Sequence, residues 1–279
     1  MQRTAVIGIG QVKIGEHWDL SLRELAGHAI FAALEDAGMQ TVDGLFIGNM
    51  LSGALVRQES IGSLVADWVG LKNQEAYKVE AACASGAAAL HTAIMAVASG
   101  ELKTALAVGV EKMTETKGPE TTSALATAAD ADYEAFQGVS FVALNALIMQ
   151  RYMHQYGWQH ADFAPFSINA HANAVNNPFA RLREPISEQA YQNARMIATP
   201  INLLDASPIG DGAAAVVITS SENTSPSAAK PIIAITGSAS ATDTLAVHDH
   251  SDPLFLQAAY KSALRAYAQA GVERQDIDF

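Results

Sequence analysis

Basic residues are scarce in this sequence. The 279-residue chain carries 17 Lys and Arg against 29 Asp and Glu, a formal net charge of -12. That balance argues against a nucleic-acid surface or a basic membrane anchor, since both need clustered positive charge. A polyanionic small ligand would need a local basic pocket. Cysteine is scarcer still, and the lone Cys83 excludes an intrachain disulfide. No apolar run reaches the ~18 residues of a spanning helix, because Gly, Ser, His or Lys interrupts even the Ala-rich stretches. The opening MQRTAVIGIG reads as a strand rather than as a charged region followed by a long apolar run. These absences predict a soluble, cytoplasmic protein without nucleic-acid or membrane partners. Two motifs are missing as well. GIGQVKIG lacks the G-x-G-x-x-G spacing of a dinucleotide loop, and no G-x-S-x-G elbow supports a serine hydrolase. What remains, 49% hydrophobic and 16% charged residues, describes a folded globular chain.

Periodicity places a strand at Thr4–Ile9, a helix at Leu20–Ala37 ended by Gly38, a strand at Gly44–Gly48 and a helix around Gln58–Val69. A strand at Ala76–Glu80 then runs into Cys83, followed by a helix over Ser85–Ser99, stopped by Gly100, and a buried strand at Thr104–Val110. Strands alternating with helices, and apolar on both faces, predict an α/β fold with a mostly parallel sheet under helices. The pattern changes over residues 111–208, read as an inserted loop subdomain with a helix near Val142–Tyr156. The sheet resumes at Ala213–Thr219, so residues 1–110 and 209–222 form one core. SSENTSPSAAK is a turn-rich connector, and a strand at Pro231–Thr236 opens a further unit over residues 231–279.

That last unit repeats the first. A shift of 233 positions lays Ala26 over Ala259, Ala33 over Ala266, Gly38 over Gly271, Asp43 over Asp276 and Phe46 over Phe279. The preceding strands match in kind, with a longer connecting loop in the second copy. The first copy continues for several elements past Phe46, whereas the second ends there. A duplicated fold would therefore be incomplete in its second half.

Cys83 stands between a buried strand and a helix built of Ala, Ser and Gly, which is apolar all round and so expected at the centre of the fold. Unpaired N–H groups at a helix start favour a thiolate and can also donate to a developing oxyanion. A free cysteine titrates near ~8.5, and a helix terminus contributes at most ~2 kcal/mol against the opposing effect of burial. Attack at neutral pH therefore calls for a base, usually His. His91 is eight residues along the same helix, roughly 12 Å away at ~1.5 Å per residue, and is expected to pack or line a tunnel. A buried structural thiol and a nucleophile both remain open on these residues alone.

VHDHSD offers His248, Asp249, His250 and Asp252, but a capping loop before a helix, with Ser251 or Asp252 near the N-cap and Pro253 in the first turn, explains them without a metal. Asp211 and Gly212 read as the turn into a central strand. No metal site is predicted.

VEAACASGAAALHTA followed by SGELKTALAVGVEKMT resembles the nucleophile region of thiolases, especially the subgroup of sterol-carrier-protein thiolases and their archaeal and bacterial acetyl-CoA acetyltransferase-like relatives. NALIMQRYMHQYG, PFSINAHANAVNNPFARLREPIS and SPIGDGAAAVVI match further segments in the same order. The resemblance implies a duplicated α/β/α/β/α layered fold and an acyl-CoA C-acyltransferase. It also implies that Cys83 carries the acyl group in a Claisen condensation or in thiolysis of 3-ketoacyl-CoA, with the Cys83 N–H in an oxyanion hole. Coenzyme A or acyl-CoA would be substrate, with no tightly bound cofactor, and a homodimer or dimer of dimers would be built partly on the strand near Cys83. The 111–208 insertion would supply much of the coenzyme A pocket, where Arg151, Arg181, Arg183 and Arg195 are the basic residues; for each of them a solvated surface Arg is the simpler reading. The family's His-containing and Gly-His motifs and second Cys, expected beyond Asp276–Asp278, do not follow Phe279. The resemblance thus implies a shortened form or completion by another polypeptide. Rival implications are an aldolase acting on hydroxyacyl-CoA side chains with a partner protein, or a non-catalytic assembly subunit beside an OB-fold, zinc-containing protein.

Overall fold

The computed structural model describes residues 3–223 and 231–278. Its main sheet is built from β1 (Thr4–Gln11), β2 (Gly44–Gly48), β3 (Glu75–Val79), β4 (Thr104–Glu111), β7 (Gly212–Ser220) and β8 (Ile233–Ile235), in the order β3-β2-β4-β7-β1-β8. The short strands β5 (Met196–Ala198) and β6 (Ile201–Asn202) pair separately. The helices are α1 (Leu22–Ala37), α2 (Ser52–Leu55), α3 (Ile61–Trp68), α4 (Ser85–Ala98), α5 (Gly118–Ala126), α6 (Phe141–Tyr156), α7 (Ala164–Ala174), α8 (Glu188–Gln192) and α9 (Gln257–Ala270).

The expected mostly parallel sheet is in fact mixed. β2 lies parallel to β3 and β4, whereas β7 runs antiparallel to both β4 and β1, and β8 antiparallel to β1. A central antiparallel strand is covered on both faces as a parallel one is, so its sequence is equally apolar and its direction is hidden. Four strands, β1 to β4, therefore point their carboxyl ends to the same edge. Two helix boundaries also move. The helix expected from Gln58 starts at Ile61 after a separate turn of helix at α2, because Arg57 and Ser60 take left-handed φ values of 55° and 53° that interrupt it. The last helix begins at Gln257 rather than near Asp252. A 3-10 turn at Val247–Asp249 takes up the chain before it.

Strand alternation sorts the core into two faces. Leu45 and Ile47 of β2 and Leu106, Val108 and Val110 of β4 join α1 and α3 in the larger cluster. On the opposite face Phe46, Ala105 and Ala107 meet Ala89, Ala93 and Val97 of α4. That second face is lined with small residues, and the reason is distance. A Cβ on Gly48 would lie 2.3 Å from the Ser85 carbonyl oxygen, so β2 and the start of α4 touch backbone to backbone. Burial on α4 is confined to Ser85, Ala89, Ala93, Val97 and Ala98, while Met95 is 48% exposed. The helix expected to be enclosed on all sides is covered on one stripe among the described residues.

The repeat recurs in three dimensions. A Cβ on Gly8 would meet the Ala33 carbonyl oxygen at 2.3 Å, and one on Gly237 would meet the Ala266 carbonyl oxygen at 2.3 Å. Ile9 N–H donates to Asp36 Oδ2 at 2.9 Å; Ser238 N–H donates to Gln269 Oε1 at 2.8 Å. Gly38 and Gly271 both end their helices in the left-handed region, with Met39 N–H on the Leu34 carbonyl and Val272 N–H on the Tyr267 carbonyl. Helix positions correspond at a shift of 233 and strand positions at 229, so the second loop is four residues longer. The second strand, β8, hydrogen-bonds to the edge of the first sheet through Thr4–Val6. α9 has no buried residue, unlike α1. Phe279, and residues 224–230 of the connector, lie outside the described residues.

Gly48→Val is expected to destabilise the protein by roughly 1–3 kcal/mol or more in urea denaturation, because neither backbone can retreat without opening the sheet–helix contact. Gly118→Ala, with nothing within 4 Å of the added Cβ, is the control and should be neutral or slightly stabilising.

Candidate active site

Cys83 sits in a 3-10 turn, Ala82–Ala84, that converts β3 into α4. Ala82 is forced to a φ of 47°, a left-handed conformation that costs an L-residue about 1–2 kcal/mol. Two side chains hold it there. Ser85 Oγ accepts from Ala81 N–H at 2.9 Å and donates to the Ala82 carbonyl at 2.6 Å, while Glu80 Oε1 accepts from Ala82 N–H at 2.5 Å. The result is an elbow that lifts the thiol out of the packing, and Cys83 is exposed. Among the described residues the thiol is not enclosed by the core.

The thiol lies in a cavity of about 360 Å³ at the edge where β1, β2 and β4 end and β7 begins. Gln11, Gly109, Val110, Glu111 and Gly212–Ala214 line it from the strand ends, and Met50, Leu51, Met113 and Leu125 from the connections beyond. Carboxyl ends of co-directional strands are the usual place for a ligand in open α/β sheets. His91 is not among the lining residues; its Nδ1 lies 2.8 Å from Ser238 Oγ, tying α4 to the chain after β8.

Glu111 is the ionisable wall of this cavity besides Cys83. Its carboxylate accepts from Asn49 Nδ2 at 2.8 Å, Met50 N–H at 3.1 Å and Leu51 N–H at 3.3 Å. Asn49 Nδ2 also donates to the Val110 carbonyl, and Asn49 Oδ1 caps Ser52 N–H, so one polar pair clamps the ends of β2 and β4 and starts α2. Burial pushes the Glu111 carboxyl above the ordinary carboxylate range, against the pull of those donors. Neither Glu111 nor Asn49 stood out in the sequence. The available signal was position: each is the first polar side chain at the end of an apolar strand.

Asp211 forms the second knot. Fully buried, it accepts from Met113 N–H (2.7 Å), Thr114 N–H (3.0 Å), Thr114 Oγ1 (2.5 Å) and His17 N–H (3.1 Å), with Lys112 Nζ at 3.3 Å. Burial favours the neutral acid here too, but the donors outweigh it and the carboxyl is held below its usual value. The buried Lys112 ammonium also meets the His17 carbonyl at 2.6 Å and Glu115 at 3.2 Å. Asp211 is thus the structural turn expected from its sequence, and it fastens the segment after β4.

The four arginines do not converge. Arg181 is held by Glu16 at 2.6 Å and by the Ile209 carbonyl, Arg183 donates to the Val175 carbonyl at 3.0 Å, and Arg151 and Arg195 are exposed. Arg181 lines a separate 540 Å³ cleft with Ser167, His171 and Ser207. A further cluster pins the 111–208 segment: His160 Nε2 lies 3.0 Å from Asp205 Oδ2, Tyr191 donates to Asp205 Oδ1, and the His160 and Tyr191 rings stack. Burial, then the Asp205 contact, raises the Tyr191 hydroxyl well above its usual value. His248 pairs with Asp249 and His250 with Asp243. Among the described residues no group of three His, Cys, Asp or Glu could hold a metal ion, and no helix is long and apolar enough to cross a membrane.

Residues 2–222 match the family described as thiolase, N-terminal domain. The acetyl-CoA acetyltransferase of Methanothermobacter thermautotrophicus is 42% identical over 280 residues, which span all of this chain and 72% of the relative. The acetyl-CoA acetyltransferase of Methanocaldococcus jannaschii is 39% identical over 281 residues, spanning 71% of its length. Among solved structures, the Ltp2-ChsH2(DUF35) aldolase superposes with a TM-score of 0.81 at 24% identity, covering 99% of this chain and 71% of that one.

Asp211→Asn is expected to lose about 3 kcal/mol of stability at pH 7, as removal of one partner from a buried charged pair does. The sign with pH follows from the lowered carboxyl. The native state binds fewer protons than the unfolded chain, so the contribution is whole above the unfolded value of ~4 and is lost as pH falls through the native one. Urea denaturation from pH 7 to pH 3 should show a shallower acid limb in the variant; identical limbs would refute the assignment.

Proposed function

Because the chain belongs to the thiolase family, we propose that it is a coenzyme A-dependent C-acyltransferase whose acyl group is carried on Cys83. The observation that bears most weight is the elbow: a strained turn exposes the chain's one thiol at the start of a helix, inside a cavity at the sheet's carboxyl edge. In the forward sense a base takes the Cys83 proton, the thiolate attacks a thioester carbonyl, coenzyme A leaves as its thiol with that proton, and the acyl group remains as a Cys83 thioester. A carbanion formed on a second acyl-CoA then attacks that thioester, releasing 3-ketoacyl-CoA and the thiolate. Thiolysis is the same sequence reversed. The Cys83 N–H is the peptide donor of this turn suited to the oxyanion of each tetrahedral intermediate, since the Ala82, Ala84 and Ser85 N–H groups bond to Glu80 and to the Ala81 and Ala82 carbonyls. No histidine lines the described cavity.

The 540 Å³ cleft beside Arg181, His171, Ser167 and Ser207 is the fitting place for the coenzyme A moiety. β3, the outermost strand of the sheet on the Cys83 side, is the edge on which a homodimer would extend it. An aldolase acting on hydroxyacyl-CoA is the second reading, supported by likeness of fold to the aldolase structure; the higher identity to the two acetyltransferases favours acyl transfer.

Incubation with acetyl-CoA should add one acetyl group per chain in the intact mass, release free coenzyme A and map by peptide to Cys83. Cys83→Ala should take up none. Acylation that persists in that variant, or a reactive Cys83 that no acyl-CoA labels, would overturn the assignment. Retro-aldol products from a hydroxyacyl-CoA without an acyl adduct would establish the second reading instead.

A further inference from the structure

One wall of the Cys83 cavity belongs to neither face of the sheet core. Leu51, Leu55 and Ala124 form a small buried cluster of their own, and Met50, Met113 and Leu125 pack against it from the side. Met50, Leu51, Met113 and Leu125, with Ile14 after β1, are also the apolar residues that line the Cys83 cavity from beyond the strand ends. Their backbones are fixed. Glu111 accepts from Met50 and Leu51 N–H, and Asp211 accepts from Met113 N–H. Their side chains are adaptable, since methionine is unbranched, polarisable and able to follow the shape of whatever lies against it. A rigid frame thus presents a mouldable apolar surface to the thiol.

The space exceeds what the smallest acyl group needs. The cavity measures about 360 Å³, the liquid volume of roughly a dozen waters at ~30 Å³ each, whereas an acetyl group on sulfur adds three heavy atoms. Of the polar residues in the lining, Glu111 is turned to Asn49 and to the Met50 and Leu51 N–H groups and Ser85 to the Ala81–Ala82 turn, while Gln11 lines the cavity from the end of β1.

We propose that Met50, Met113 and Leu125 form the acyl-chain wall of the site and set its chain-length preference, drawing alkyl chains longer than acetyl against the Leu51–Leu55–Ala124 cluster. This inference rests on Cys83 as the acyl carrier. Each methylene that moves from water onto the wall should favour the bound chain by roughly threefold to fourfold when fully buried.

The test separates the wall from the acyl transfer. S-alkyl methanethiosulfonates with methyl, butyl and octyl chains modify a thiol by attack on the sulfenyl sulfur, forming a mixed disulfide and releasing methanesulfinate, with no acyltransferase chemistry. Rates at Cys83, the chain's one cysteine, are normalised to N-acetylcysteine. The normalised rate should climb with chain length, octyl exceeding methyl by about tenfold or more. Met113→Asn and Leu125→Asn should each flatten that slope, with urea midpoints reporting that the variants are folded. In parallel, acetyl-CoA and octanoyl-CoA compete for the adduct, and octanoyl should win in the wild type and lose its advantage in the variants. A flat alkyl profile in the wild type, or a slope that both variants retain, overturns the wall. A steep alkyl profile with no adduct from either thioester overturns the acyl-carrier reading instead.

Discussion

The site depends on how closely the first turn of α4 lies on β2. With no side chain at Gly48, the Ser85 carbonyl comes to a distance that a Cβ would forbid, and α4 starts directly over the end of the strand. Everything at the elbow follows from that approach. The chain leaving β3 has to turn sharply to reach the contact, which drives Ala82 into the left-handed region, and Ser85 supplies both the contact and the two hydrogen bonds that hold the turn. Cys83 is exposed because the turn is tight. The strain of one residue is offset locally by three hydrogen bonds, each worth about 0.5–1.5 kcal/mol net.

Two carboxylates frame the cavity, and burial pushes both toward the neutral acid. Their opposite outcomes come from the donors each can gather. Asp211 has bonds from the Met113 and Thr114 amides, the Thr114 hydroxyl and a third amide from His17, which together hold its carboxyl below the usual value. Glu111 takes longer bonds from Met50 and Leu51 and a neutral amide from Asn49, and desolvation prevails. A cavity whose frame is polar yet satisfied can expose apolar side chains to a ligand without leaving a buried polar group unpaired, and among the described residues no buried side-chain nitrogen or oxygen lacks a partner.

The second copy of the strand–helix unit reproduces the first in its glycine contact, its strand-to-helix hydrogen bond and its left-handed cap. Its surroundings differ. α1 buries one face against β1, β4 and β7, while α9 buries no residue and α4 leaves its outer side uncovered among the described residues. Local geometry is therefore carried by the unit itself, and burial is supplied by neighbours.

Periodicity and glycine positions determined the existence and order of the elements around the site, α2 excepted, from Thr4 to Glu111 and again at Gly212, because strand alternation and helix stops are local properties of the chain. The repeat was legible for the same reason, as was Cys83 at a strand–helix junction. Tertiary structure alone decided the direction of β7, since burial on both faces erases the difference between parallel and antiparallel neighbours. It also brought Asn49 to Glu111 and Asp211 to His17, pairs separated by 62 and 194 positions. Whether the lone thiol is buried or presented was likewise settled by the backbone contact at Gly48, a distance between elements that no run of residues encodes by itself.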